Sequence, residues 1–169
     1  MDGAVADALA FKTYLEEDLG VQPSRIRLLL NAQATRCAII QELSNLADDQ
    51  SINHGDPIFI FYAGHGGEVD TPKGWKAGDP KVQMLIPHDY RPDVDGRGVH
   101  GIPDRTIGAL LSRIAAKQGD NIVRISTLCH NLYPANRTMC RQSSSIAVTL
   151  GLAHAMLHRN SVVKHGLLR

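Results

Sequence analysis

The stretch FIFYAGHGGE, residues 59–68, carries the clearest fold signal in the sequence. It overlaps an apolar run, PIFIFYA at 57–63, whose length is typical of a buried strand. The titratable residue His65 follows that run between glycines, which leave little side-chain bulk around its ring. We therefore expect a buried strand that ends just before His65.

Predicted helices and strands alternate on either side of this strand. Apolar residues three or four apart predict the helices, and short apolar runs predict the strands. The expected elements are a helix over 4–19 closed by Gly20, a strand over 25–31, a helix capped by Thr35, a strand over 82–87, a helix from Pro103 to Gly119 and a strand over 120–129. Strands that alternate with helices usually pair in parallel through right-handed crossovers. The pattern therefore predicts an α/β fold with a mostly parallel sheet and helices on both faces.

The composition predicts one soluble domain and argues against several classes of partner. The chain has 169 residues, which is enough for a single core. Its 18 Lys and Arg residues balance 17 Asp and Glu residues, so no overall field attracts nucleic acid or an anionic membrane. No apolar segment has the length of a signal peptide or a membrane span. We expect a cytoplasmic protein, and the sequence leaves its oligomeric state open.

Two residues that could act together in catalysis, His65 and Cys129, come at the ends of predicted strands. The chemistry of parallel sheets gathers at the carboxyl ends of their strands. A cysteine attacks carbonyl carbons as a thiolate, and a nearby imidazole can take its proton. The N–H of Gly66 could stabilise the resulting oxyanion. Two alternatives stay open, namely a tight GHGG turn with a surface histidine, and an unreactive buried thiol at Cys129.

The other cysteines and histidines do not indicate a cofactor. The three cysteines, Cys37, Cys129 and Cys140, have no C-x-x-C spacing, which disfavours a disulfide framework and a zinc cage. We expect Cys37 to pack, since it falls on a predicted helix. His154 and His158 are spaced i, i+4, but no acidic or thiol ligand follows at a fitting distance. Phosphate-binding motifs are absent as well, so we expect neither a metal nor a cofactor.

The YAGHG motif at 62–66 has the form of the histidine motif of a known family. Together with GDPIFIFYAGHGGE, MLIPHDY and GIPDRTIGALL, it resembles the caspase-like cysteine peptidases, specifically the metacaspase-type domains common in fungi. The similarity covers roughly residues 2–130. It implies a caspase-like three-layer sandwich in which His65 is the catalytic histidine and Cys129 is the nucleophile. It also implies a peptide or protein substrate and a reaction that needs no cofactor.

The segment TLCHNL, residues 127–132, departs from the family's pattern D-[CS]-C-H-S-G. Thr127 stands where family members carry the aspartate that anchors a basic substrate residue. The resemblance therefore implies a substrate-binding position at Thr127, and it does not carry over a preference for arginine or lysine. Calcium-dependent relatives have an acidic pair near Pro103 and Asp104. Only the second of these is acidic here, so a calcium site is not carried over either.

The resemblance divides the chain into two parts. Residues 1–130 correspond to a partial caspase-like peptidase domain, and residues 131–169 form a divergent tail with a possible helix over 146–157. Family members begin with a central strand that this sequence lacks, so we expect a truncated domain without its first central strand. Two functions follow from this. The chain is a cysteine-type endopeptidase with a Cys-His dyad, or it is a catalytically inactive caspase-like fragment that acts as an interaction module.

Overall fold

The computed structural model describes residues 2–75, 80–129 and 151–152 of the chain. The helices in these ranges are α1 (Asp2–Glu17), α2 (Arg36–Asp48) and α3 (Asp104–Gln118). The strands are β1 (Ile58–Asp70), β2 (Lys81–Ile86), β3 (Ile102–Pro103), β4 (Ile122–Cys129) and β5 (Gly151–Leu152). They form one sheet in the order β3-β2-β1-β4, and β5 also pairs with β1. None of the helices described has the length and the apolar character that a membrane crossing requires.

β1 is the strand on which the sheet is assembled. From Ile58 to His65 it pairs in parallel with β4. From His65 to Asp70 it pairs in antiparallel orientation with β2. β5 adds a short antiparallel pairing at the start of the strand. The ladder along β1 therefore changes from one neighbour to the other at His65.

Side chains of β1 alternate between two apolar clusters. Ile60 and Tyr62 pack in a cluster with buried residues of α2 and α3. Phe61 and Ala63 pack in a second cluster with residues of α1. In that second cluster the rings of Phe11 and Phe61 stack with their centroids 4.6 Å apart. Because successive strand residues point to opposite faces, helices cover β1 on both sides.

The helix ends predicted from the sequence are confirmed by their hydrogen bonds. The hydroxyl of Thr35 caps α2 by accepting a hydrogen bond from a backbone N–H of the first turn at 3.2 Å. Gly20 follows α1 with a φ of 66°. The N–H of Val21 then donates to the carbonyl of Leu15 at 2.9 Å, which gives a carbonyl of the last turn of α1 a donor. Gly119 is the C-cap of α3 and has a φ of 98°.

The expectation of a mostly parallel sheet is wrong for the strands that the structure describes. The β1–β4 pair is parallel, whereas the pairs β1–β2, β2–β3 and β1–β5 are antiparallel. The connection between β1 and β2 explains the difference. Residues 71–80 suffice for a hairpin and are too few for the crossover that a parallel pair requires.

Residues 25–31 do not form the strand that their apolar run predicts. Two 3₁₀ turns, Pro23–Arg25 and Asn31–Gln33, flank the run. The residues between these turns have no partner in the described sheet. Leu28 and Leu30 instead pack against the cluster between α1 and β1. The run is apolar because it covers the core, and it does so without pairing.

β1 is longer than predicted and continues through the glycines that were expected to end it. It extends past Ala63 to Asp70, so His65 lies within the strand and not after it. Isolated glycines weaken a strand, but here β2 supplies a pairing partner for this part. A Cβ added at Gly67 would lie 3.1 Å from Cδ1 of Ile86, so the missing side chain allows β2 to pack closely.

Two residues of the segment 131–169 pair with the sheet as strand β5. The residues Gly151–Leu152 form this strand opposite the start of β1. The possible helix over 146–157 is therefore wrong at these two residues. The other residues of 131–169 lie outside the part of the chain that the structure describes.

Gln118 of α3 ties the C-terminal ends of α2 and α3 together. This side chain is only 6% exposed. Its amide nitrogen lies 3.2, 3.1 and 3.1 Å from the carbonyl oxygens of Leu46, Ala47 and Asp49. The last carbonyls of an α-helix have no donor within the helix itself. Gln118 thus supplies to the end of α2 the donor that the helix lacks.

Replacement of a buried leucine in α1 tests the packing of this helix. Leu15 is fully buried, whereas Leu9 on the same helix is 43% exposed. We expect Leu15→Ala to lower the free energy of unfolding by about 2–5 kcal/mol, because it leaves a cavity in the core. The same change at Leu9 should stay within about 0.5 kcal/mol. Urea denaturation followed by circular dichroism measures both, and equal losses would contradict the packing described.

The ion pairs of Asp48 predict a dependence of stability on pH. Asp48 accepts hydrogen bonds from Lys117 and Arg113 of α3. The bond from Lys117 is the main cause that holds the pKa of this carboxyl below its ordinary value of 3.8. A lowered folded-state pKa stabilises the fold above the ordinary value, and this contribution is lost as the pH falls. Asp48→Asn should therefore lower the urea midpoint slightly at neutral pH, because the pair is exposed. The difference should vanish in acid, and a difference independent of pH would contradict the assignment.

Candidate active site

His65 occupies the position in β1 where the two ladders meet. It is opposite Cys129 in β4 and opposite Ile86 in β2. The residue is 8% exposed, which is unusual for a titratable side chain. Its backbone is therefore fixed from both sides, and its surroundings exclude most of the solvent.

Cys129 is the last residue of β4 and the register partner of His65. The two strands are parallel, so both residues lie toward the carboxyl end of the same ladder. Neighbouring strands are about 4.8 Å apart in a sheet. The sequence predicts that these two residues come to adjacent strand ends, and the backbone register brings them together.

Gly66 follows His65 in β1, and its partner is Leu85 of β2. The predicted role of the Gly66 N–H in binding an oxyanion stays a prediction.

Thr127 lies two residues before Cys129 on β4 and is paired with Ala63 of β1. Its backbone is therefore close to the position of His65, as a substrate-binding residue would require. The predicted role of Thr127 in substrate binding stays a prediction.

Among the remaining candidate residues, the structure describes Cys37. Cys37 lies exposed on α2, so the expectation that it packs is wrong. The inward face of that helix is formed instead by residues such as Ile39 and Leu43. Cys140, His154 and His158 fall outside the described residues. Within the residues described, no group of three or more His, Cys, Asp or Glu side chains could hold a metal ion.

Tyr62 contributes a contact that sequence reasoning missed. Its hydroxyl lies 2.6 Å from the carbonyl oxygen of His65 and 3.3 Å from that of Ile86. In the sequence, Tyr62 reads as one more apolar residue of a buried strand. Only the structure shows which backbone carbonyls the hydroxyl contacts.

The register makes Cys129 of β4 and His65 of β1 backbone neighbours. Gly66 follows His65 in the same strand. A thiol beside an imidazole suits acyl transfer, a reaction that uses neither a metal nor an organic cofactor.

The model of the caspase domain family matches residues 1–137 of the chain. The matched range contains the three helices, the strands β1 to β4, and both His65 and Cys129. No curated protein and no solved structure gives a significant match. The family match covers well over half of the 169 residues.

A thiol cross-link tests the register of β1 and β4 without any need for activity. In a background with Cys37→Ser and Cys140→Ser, His65→Cys places a second thiol opposite Cys129. We expect the short bifunctional reagent dibromobimane to bridge these two thiols, because adjacent strands are about 4.8 Å apart. Peptide mass spectrometry identifies the bridge.

Asp70→Cys in the same background is the matched control. It lies on β1 beyond the end of the β4 ladder and faces β2 in the register. We expect its thiol to react with the reagent without being bridged to Cys129. Bridging of both variants, or of neither, would contradict the register.

Proposed function

The chain belongs to the caspase domain family, and from this premise we propose that it is a cysteine-type endopeptidase acting on peptide or protein substrates. In this proposal Cys129 is the nucleophile and His65 is the general acid and base. The observation that carries the proposal is the parallel register in which His65 and Cys129 are partners. Family membership supports a cysteine peptidase, and the register supports this particular dyad.

In the proposed reaction the thiolate of Cys129 attacks the carbonyl carbon of the scissile peptide bond. A C–S bond forms, and the electron pair of the carbonyl moves to its oxygen. The N–H groups of Gly66 and Cys129 stabilise that oxyanion. The protonated ring of His65 then donates its proton to the leaving amine as the C–N bond breaks. The product of this half-reaction is a thioester at Cys129.

Water completes the cycle. The neutral ring of His65 takes a proton from a water molecule, which attacks the thioester carbonyl. The C–S bond breaks, the acid product leaves, and Cys129 returns to the thiolate beside a protonated His65. Protons and electrons balance within the dyad and water, so the reaction needs no cofactor.

Finer features of the proposal come from the motifs of the sequence. YAGHG at 62–66 supports a metacaspase type and a caspase-like three-layer sandwich, and TLCHNL at 127–132 keeps the cysteine and the histidine of the family's pattern. Thr127 takes the position of the residue that contacts the substrate before the scissile bond. It carries no charge, so we expect no strong preference for arginine or lysine there. We further propose that the protein acts in the cytoplasm.

Covalent labelling tests the proposal directly. The purified chain is incubated with a thiol-directed peptidyl electrophile, such as a peptidyl chloromethyl ketone, and the site of modification is mapped by mass spectrometry. We expect modification at Cys129 that is faster than that of Cys37, which lies exposed on α2. Cys37 thereby acts as an internal control in the same molecule.

Two substitutions separate the roles within the dyad. Cys129→Ala should abolish the fast labelling. His65→Ala should slow it by about 10²–10⁴-fold, which is the usual contribution of general acid–base catalysis. A folded wild-type chain in which Cys129 reacts no faster than Cys37 would contradict the peptidase and support an inactive domain.

A further inference from the structure

The hydroxyl of Tyr62 acts at the point where β1 passes from one ladder to the other. The side chain is 4% exposed. Its oxygen lies 2.6 Å from the carbonyl of His65 and 3.3 Å from the carbonyl of Ile86. His65 and Ile86 are also cross-strand partners. The hydroxyl therefore donates into the junction of β1 and β2 at the level of His65.

The contact between Tyr62 and His65 requires a bend in β1. Three residues of an extended strand advance by about 10 Å, which carries the carbonyl of residue 65 beyond the reach of a straight tyrosine side chain. The observed contact shows that the strand curves toward the ring of Tyr62. That ring packs in the cluster with α2 and α3. The side chain of Tyr62 thus connects the curved backbone at His65 with the apolar core.

The contacts that carry the inference are made with the backbone. The hydroxyl of Tyr62 contacts the carbonyl oxygens of His65 and Ile86. These contacts act on the strand position from which the His65 ring projects.

We propose that Tyr62 is a positioning residue for His65. By holding the carbonyls of His65 and Ile86, its hydroxyl sets the backbone angle from which the imidazole approaches Cys129. Misplacement of a reacting group by about 1 Å costs up to about 100-fold in rate. The reaction consequences of this inference rest on the proposed function, because that function gives His65 its role. The structural part, control of the His65 backbone by Tyr62, stands independently of activity.

The test compares Tyr62→Phe with the matched control Tyr14→Phe. Tyr14 lies half-exposed on α1, so removal of its hydroxyl leaves the junction intact. Both variants keep the aromatic ring, and circular dichroism verifies that they fold. We expect Tyr62→Phe to lower the rate of peptidyl labelling of Cys129 by 10- to 100-fold with unchanged affinity for the reagent. Tyr14→Phe should react like the wild type.

Two further measurements distinguish positioning from a general loss of stability. The pH dependence of the alkylation of Cys129 by iodoacetamide should change in Tyr62→Phe and stay as in the wild type in Tyr14→Phe, because the reactivity of a thiol depends on a neighbouring imidazole. In a His65→Ala background, Tyr62→Phe should cause no additional loss of labelling. Equal losses with and without His65 would overturn the proposal.

A spectroscopic readout decides the structural part even if the chain is not a peptidase. The ring signals of His65 in a ¹H–¹³C spectrum are assigned by their absence in His65→Ala. We expect them to shift in Tyr62→Phe and to stay in place in Tyr14→Phe. Unchanged His65 signals in a folded Tyr62→Phe variant would overturn the proposal. Absence of labelling in the wild type, with shifted His65 signals in Tyr62→Phe, would reject the peptidase function and retain the positioning by Tyr62.

Discussion

Backbone pairing along both edges of β1 is the constraint on which the rest of the structure depends. One edge carries β4 in parallel, and the other carries β2 in antiparallel orientation. The two faces of the strand are covered by α1 on one side and by α2 and α3 on the other. The described helices on the two faces of the sheet thus all pack against β1. His65 is the residue of β1 that belongs to both of these ladders, so the site candidate and the structural centre coincide.

This coincidence has a chemical meaning. A dyad reaction needs a base and a nucleophile held at a short distance before the substrate arrives. The register of a sheet holds two residues of neighbouring strands close together through backbone hydrogen bonds. Keeping them there costs little further conformational entropy once the strands have formed. Gly67 contributes by leaving room for the approach of β2. The proposed reaction therefore uses two residues that the sheet register makes partners.

Local sequence signals predicted the elements of the fold better than their pairing. The apolar run at 57–63, the cap at Thr35 and the glycine at Gly20 specify local structure, and the structure has a strand, a helix cap and a positive φ there, with the strand running on to Asp70. The run at 25–31 carries the same apolar signal, yet it packs without pairing, because burial and pairing both favour apolar residues. The continuation of β1 beyond His65 depends on β2, which the glycines themselves do not encode.

The candidate site shows the same difference between features that local sequence predicts and features that depend on tertiary contacts. His65 and Cys129 could be proposed from their position at strand ends, since parallel sheets gather chemistry there. The contribution of Tyr62 could not be proposed from the sequence. Its hydroxyl reaches the carbonyl of His65 only because the strand bends toward it. Arg124 lies exposed on β4, which is at the end of the described sheet order, and this exposure accounts for a polar residue in the predicted strand.

The amide of Gln118 gives the pairing of α2 and α3 an unusual chemical sensitivity. One nitrogen faces three carbonyl oxygens in a buried place. Hydrolytic deamidation, or a simple exchange for glutamate, would replace that nitrogen by an oxygen of nearly the same size. Every attraction at this point would then become a repulsion between oxygens, with hardly any change in volume. The contact between α2 and α3 at this point thus depends more on the amide nitrogen of Gln118 than on the shape of its side chain.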